Sequence, residues 1–217
     1  MPIDSAGFLR YCESVMTAFV VRENATFSYL RLPEKETWDS ATFQRFCELN
    51  REIRAEMDAE GNVILMSPSN ADAEGKVSVL LGELYAWAKQ GRSVKVFGSS
   101  AGFTLPNGSV RAPDVSAVRL SDWHALRDDQ KKSFAPLCPW FVMELRSSES
   151  DPLAELEAKM EEYIANGARL GWLIDPVVGR LAIYRRETKV EVLDRPAEVA
   201  GDPELAGFRF DMTPMWA

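Results

Sequence analysis

The chain has 217 residues, 46% of them hydrophobic and 27% charged, with a formal net charge of −8. That length is ample for one globular domain with a sizeable core. The longest apolar runs, such as AFVV and FVM, are far too short to span a bilayer, and the acidic balance argues against strong nonspecific binding to nucleic acid.

The N-terminus, MPIDSAGFLRYCESVM, has no basic start followed by an apolar run, so no signal peptide is expected. Cys12, Cys47 and Cys138 are odd in number and scattered. They suit a reducing cytoplasm and give no zinc or redox spacing. The single histidine, His124, is all that a Ser–His–Asp or Cys–His mechanism could use, and no G-x-S-x-G elbow accompanies it. It reads as an ordinary surface or helix-end residue. Carboxylate, lysine and arginine chemistry remains.

In chain order, TAFVVRENATFSYLRL (17–32) reads as two short strands joined at Glu23-Asn24. SATFQRFCELNREIR (40–54) reads as a helix with Phe43, Phe46 and Cys47 on one face and Ser40 as cap. AEMDAEGNVILM (55–66) suggests a hairpin turning at Gly61-Asn62. Residues 67–91 form the clearest helix: Val77, Leu80, Leu81, Leu84 and Trp87 recur at spacings of three and four. Ser69 or Asn70 caps it and Gly91 stops it. Glu74 falls on or beside that apolar face, an unusual place for a carboxylate.

SVKVFGS, GFTLPNG and VRAPDVSAVRL follow as strands of a mixed sheet, the last two joined at Asn107-Gly108. WFVMELRS is a further strand. DPLAELEAKMEEYIANG (151–167) is a second helix, with Asp151 as N-cap, Pro152 in the first helical position and Gly167 at its end. GWLIDP, RLAIYRRE and TKVEVL close the sheet. The expectation is one α/β domain over 1–217: an N-terminal hairpin and helix extension (1–39), a core (40–193) with a mixed central β-sheet flanked by helices, and a C-terminal tail (194–217).

Two apolar runs end in an acid, VRAPD at Asp114 and FVMEL at Glu144. Lys159 lies three residues after Leu156 and four before Tyr163, so its stem follows the packed stripe of its helix while its head can reach the sheet edge. Two carboxylates with an intervening backbone carbonyl suit a hard cation such as magnesium, and a nearby ammonium can orient water or neutralise developing charge. Asp114, Glu144 and Lys159 can therefore hydrolyse a phosphodiester without histidine. The plain readings are a turn at Asp114, a strand-charge pair at Glu144, a solvated helix position at Lys159 and a helix-start charge at Glu74. Tyr163 and Trp172 read as core. Arg185, Arg186 and Lys189 read as a charged strand edge.

RAPDVSAV, PWFVMELRSSESD and KMEEYIANGARLGWLIDP, in this order, resemble the PD-(D/E)xK nuclease superfamily, and within it the Uma-two family of bacterial restriction endonucleases. FQRFCELNREIRAEMDAEGNVILMSPS is similar to the segment leading into that family's first core helix. The resemblance covers roughly 40–186 and implies a restriction-endonuclease-like fold and metal-dependent cleavage of a nucleic acid, DNA in the first instance, with magnesium as cofactor and manganese as substitute.

It implies metal ligation by Asp114, Glu144 and the Leu145 carbonyl, the family's helix-borne lysine at Lys159, and an acidic helper or water-mediated ligand at Glu74. The superfamily's lysine two residues after the acid is Arg146 here, which stays protonated and cannot act as a base; a phosphate clamp is the role left to it. SSESD keeps the Asp of the family's Ser-Pro-Ser-Asp phrase and lacks its Pro. A homodimer suits paired cuts on a duplex. The rival is a catalytically silent binding or regulatory module of the same fold. A carboxylate-pair glycosidase is disfavoured because nothing suggests an aromatic-lined sugar cleft.

Overall fold

The structure is a computed structural model that describes residues 17–20, 28–31 and 38–217. The chain divides into two compact units, 1–67 and 68–217.

In the first unit, strands β1 (Thr17–Val20) and β2 (Ser28–Arg31) pair antiparallel, as expected. The Glu23-Asn24 turn lies outside the described residues. Helix α1 (Ser40–Leu49) buries Phe43 and Phe46. Its cap is Asp39, not Ser40: the Asp39 carboxylate accepts from the Thr42 N–H at 2.8 Å and from the Thr42 hydroxyl at 2.6 Å, satisfying a donor that the helix itself leaves orphaned. Strands β3 (Arg54–Met57) and β4 (Val63–Met66) form the expected hairpin. Its turn holds Gly61 at φ +85°, where an added Cβ would sit 2.8 Å from the Trp38 carbonyl oxygen. Only glycine meets both demands.

The second unit is built on a six-stranded mixed sheet. Its strands are β5 (Val94–Gly98), β8 (Val115–Arg119), β9 (Phe141–Leu145), β10 (Leu170–Asp175), β11 (Arg180–Arg185) and β12 (Glu191–Asp194). They lie in the order β12-β11-β10-β9-β8-β5. Only the β9–β10 pair in this sheet is parallel. A parallel pair needs a crossover, and helix α5 (Leu153–Ala165) supplies it. The hairpin β6 (Phe103–Thr104) and β7 (Val110–Arg111) turns at Gly108, φ +91°. VRAPDVSAVRL is therefore two strands: Pro113, which has no N–H for a ladder, separates β7 from β8.

Strand alternation divides the core. Phe141, Met143, Leu145, Trp172 and Ile174 pack with α2 (Ala71–Ala88), whereas Val142, Leu173 and Tyr184 pack with Met160 and Tyr163 of α5. Each fully buried large side chain contributes roughly 1.5–3 kcal/mol. Asn70 caps α2, accepting from the Ala73 N–H at 2.9 Å, and Gly91 follows at φ +83°. The short helices α3 (Leu120–Ala125) and α4 (Asp128–Lys131) lead into β9. The expected architecture, a mixed central sheet flanked by helices, is present.

The C-terminal segment is more than a tail. Strands β13 (Glu198–Ala200) and β14 (Arg209–Asp211) pair, and Leu205, Phe208, Phe210, Met212 and Met215 enter the α2-side core. The Phe208 ring lies 5.4 Å from Trp87 and 6.0 Å from Trp172. Among the described residues, no helix is long and apolar enough to cross a membrane.

Candidate active site

The β8–β9 ladder ends at the pair Val115–Met143. One step further along the same register lie Asp114 and Glu144. Met143 and Leu145 face the α2-side core, so alternation turns Glu144 toward α5. There it is only 4% exposed. A carboxylate so placed requires partners, and α5 provides two from consecutive turns. The Lys159 ammonium, Nζ, is 2.9 Å from Glu144 Oε1, and the Tyr163 hydroxyl donates to the same oxygen at 3.0 Å. Lys159 Nζ also lies 5.9 Å from the centroid of the Tyr163 ring, within cation–π range. Asp114 Oδ2 accepts from the Leu145 N–H at 2.9 Å. The structure thus brings Asp114, Glu144 and Lys159 together at one end of the sheet.

Arg146 does not stand ready to clamp a phosphate. Its Nη1 donates to Asp175 Oδ2 at 3.0 Å, its Nε to the Asp151 carbonyl at 3.0 Å, and its Nη2 to the Glu149 carbonyl at 3.1 Å. Asp175, the acid of LGWLIDP, is itself buried and also accepts from the Val177 and Val178 N–H groups. The guanidinium therefore braces the loop between β9 and α5. Asp151 likewise serves this loop instead of capping α5: its Oδ2 accepts from the Ser147 N–H, the Ser147 hydroxyl and the Ser148 N–H at 2.7–3.1 Å. Pro152 occupies the N-cap position without a side-chain bond. Arginine and aspartate thus shape this loop.

Glu74 is exposed in the first turn of α2. The inward face, on or beside which it was expected, is made by Ala73, Lys76 and Val77, with Lys76 paired to Asp72. The start of α2 is nevertheless tied to the site end of the sheet, because Asn70 Nδ2 donates to the Ser147 carbonyl at 2.9 Å. His124 is exposed in the last turn of α3, as its sequence context suggests. Arg185 lies on β11, an internal strand and not an edge, and it reaches Glu204 and the Asp202 carbonyl. Trp172 is core, as expected. Tyr163 is core and also a partner of Glu144, a role that apolar periodicity conceals; its place one turn after Lys159 was the available signal.

A second polar cluster fixes α5. Arg111 Nε donates to Glu162 Oε2 at 2.7 Å, Asn107 Nδ2 donates to Glu162 Oε1 at 2.8 Å, and the Asn107 N–H donates to Asn166 Oδ1 at 2.9 Å. Nothing in the spacing of these residues announces the contact. Helix and sheet also approach closely at Gly171 on β10, where an added Cβ would lie 2.5 Å from Met160 Cε.

The donor set is oxygen-only. Among the described residues no three His, Cys, Asp or Glu side chains gather into a cluster; Asp114 and Glu144 with a backbone carbonyl fit a hard cation better than a zinc-type ion. Among the described residues thiol chemistry has no support. Cys47 and Cys138 are free, and burial pushes their pKa values up to about 11 and about 12, so neither is a thiolate at neutral pH.

The protein is α/β, a mixed sheet with two acids at adjacent strand ends and a lysine on the crossover helix. Residues 40–213 match the Uma-two family model, Uma2, described as "Putative restriction endonuclease", and the chain belongs to that family. Among solved structures it is similar to "a putative nuclease belonging to DUF820 from Anabaena variabilis ATCC 29413". That likeness has 20% identity and a TM-score of 0.65 and covers 76% of this chain and 90% of the other. It bears on the fold. No curated protein matches the chain.

Proposed function

We propose that this chain is a metal-dependent endonuclease that hydrolyses phosphodiester bonds in DNA. One observation carries the reading: Lys159 Nζ lies 2.9 Å from Glu144 Oε1, beside an Asp114 bonded to the next backbone N–H. Family membership supports the reaction class. Asp114, Glu144 and the Leu145 carbonyl would hold magnesium, with manganese as substitute. A bound divalent ion lowers the pKa of its water and stabilises charge on a phosphoryl oxygen. Lys159 orients the attacking water or offsets developing negative charge. Glu74, at the start of α2, is assigned an outer, water-mediated role. Arg146 is assigned to bracing the loop. The reading further places the protein in the cytoplasm as a homodimer whose two-fold axis matches a duplex.

A second reading has its own support. Lys159 is ion-paired to Glu144 and the residue at the superfamily's lysine position is engaged in its loop, an arrangement that also suits a silent binding module of the same fold. Titration with magnesium or manganese separates them. A nuclease site raises the melting temperature at millimolar metal by mass action, and the Asp114→Ala variant loses both the shift and DNA cleavage while staying folded. No shift in the wild type points to the silent module, and undiminished cleavage by Asp114→Ala removes that residue from the mechanism.

A further inference from the structure

We propose that Tyr163 is a positioning residue of the site, holding Glu144 through its hydroxyl and the Lys159 ammonium through its ring. This rests on the nuclease reading above and extends it to a residue whose apolar burial conceals the role.

The geometry is specific. Tyr163 is 0% exposed, so its hydroxyl has a fixed environment, and it donates to Glu144 Oε1, the oxygen that also meets Lys159. Tyr163 follows Lys159 by four residues, so both stand on one face of α5. The ring lies below the ammonium at 5.9 Å. One rigid side chain therefore bonds the acid and lies within cation–π range of its ammonium partner. Without the hydroxyl, Glu144 keeps its charge partner and loses a neutral donor that helps to fix where the carboxylate points. A metal ligand whose outer partner is removed typically loses 10–100-fold in metal affinity or activity.

Tyr184 provides an internal control. It is a second buried tyrosine on neighbouring β11, within the same core cluster. A structural effect of deleting a buried phenol should appear in Tyr184→Phe as well; a positioning effect should not.

The experiment compares the full-length wild type with Tyr163→Phe, Tyr184→Phe and Glu144→Gln. Manganese affinity is measured by calorimetric titration, and kcat and KM on duplex DNA are measured separately. Tyr163→Phe is expected to keep its fold, to weaken manganese binding by about tenfold or more, and to lower kcat with KM for DNA unchanged, while Tyr184→Phe matches the wild type. Wild-type manganese affinity in Tyr163→Phe, in a protein whose Glu144→Gln variant loses the metal, overturns the assignment and leaves the nuclease reading standing. Absence of manganese binding by the wild type overturns the nuclease reading and this assignment with it. Should Tyr163→Phe fail to fold, wild-type protein labelled with 3-fluorotyrosine decides: a fluorine resonance of one of the five tyrosines must shift on magnesium titration, and five unmoved resonances overturn the proposal.

Discussion

Two ion pairs fasten α5 to the strands beneath it, Lys159–Glu144 and Arg111–Glu162. Their burial is similar, with side chains 13% and 6% exposed in the first and 10% and 15% in the second. Their chemistry differs. Glu162 takes one donor on each oxygen, a guanidinium on Oε2 and an amide on Oε1, both planar donors of fixed geometry. Glu144 takes its two named donors on one oxygen, from an ammonium and a phenol, and it stands next to a second acid, Asp114. Burial alone therefore does not separate the proposed site from a structural lock. The two pairs differ in the identity of their donors.

The largest effect that sharpens this contrast is on activity. Lys159→Met and Glu144→Gln should each lower DNA cleavage by about 10²–10⁴-fold. Arg111→Met should spare chemistry by comparison. A Lys159→Met protein that cleaves within a few-fold of the wild type would make the two pairs equivalent, both of them locks.

Next comes stability. Arg111→Met leaves the half-buried Glu162 carboxylate without its guanidinium, a loss of about 1–3 kcal/mol in urea unfolding. The double variant Arg111→Met/Glu162→Leu removes both charges and should regain most of that loss, because a well-packed apolar pair often matches a buried ion pair. The corresponding double change at Glu144 and Lys159 should regain stability without regaining cleavage. A double variant at 111 and 162 as unstable as the single one would mean the pair contributes shape that apolar groups cannot replace.

How much of this was legible beforehand depends on range. Asp114 and Glu144 were visible as acids closing apolar runs, because strand patterning is local, and Lys159 as a polar head on a packed stripe. The sheet and its helices were visible for the same reason. Arg111–Glu162 was not, since its partners are far apart in sequence and charged residues carry no periodicity. Glu74 was placed on or beside the inward face by its spacing from Val77 and Leu81; it lies beside it, exposed, and Ala73 and Lys76 occupy the face itself. The segment after Asp194 hid its core residues among turns, and Phe208 and Phe210 became interpretable only once Trp87 and Trp172 stood beside them.

A smaller effect concerns alkaline pH and the α5-side core. Burial pushes the Cys138 thiol from 9.0 up to about 12 and, with Glu157 and Glu161 adding to it, the Tyr184 phenol from 10.0 up to about 12. Both groups hold their protons more tightly folded than unfolded. Their contribution to stability is thus complete below about pH 9 and is lost as pH rises toward 12. On the order of 1 kcal/mol should disappear between pH 8 and pH 10, and Cys138→Ala should flatten much of the slope. Melting temperatures that stay level over that interval would show that these groups reach water in the folded chain.

A last variant tests how tightly the proposed site depends on helix placement. Gly171→Ala adds a methyl group 2.5 Å from Met160 Cε. That atom is the end of a flexible side chain, so rotation of Met160 can absorb much of the clash, and the stability cost should be no more than about 1–2 kcal/mol. Met160 adjoins Lys159 in sequence and precedes Tyr163 by less than one turn, so any part of the clash absorbed by moving α5 draws both donors away from Glu144. Geometry at a reacting centre is more sensitive than packing: a displacement of an ångström can cost on the order of 100-fold in rate. Gly171→Ala should therefore lower cleavage more than it lowers the melting temperature suggests, while a structure of the variant shows the Arg111–Glu162 bond, held from the β6–β7 hairpin, still made. Unchanged cleavage in this variant would place the adjustment wholly in Met160 and show that the crossover helix holds its position independently of Gly171.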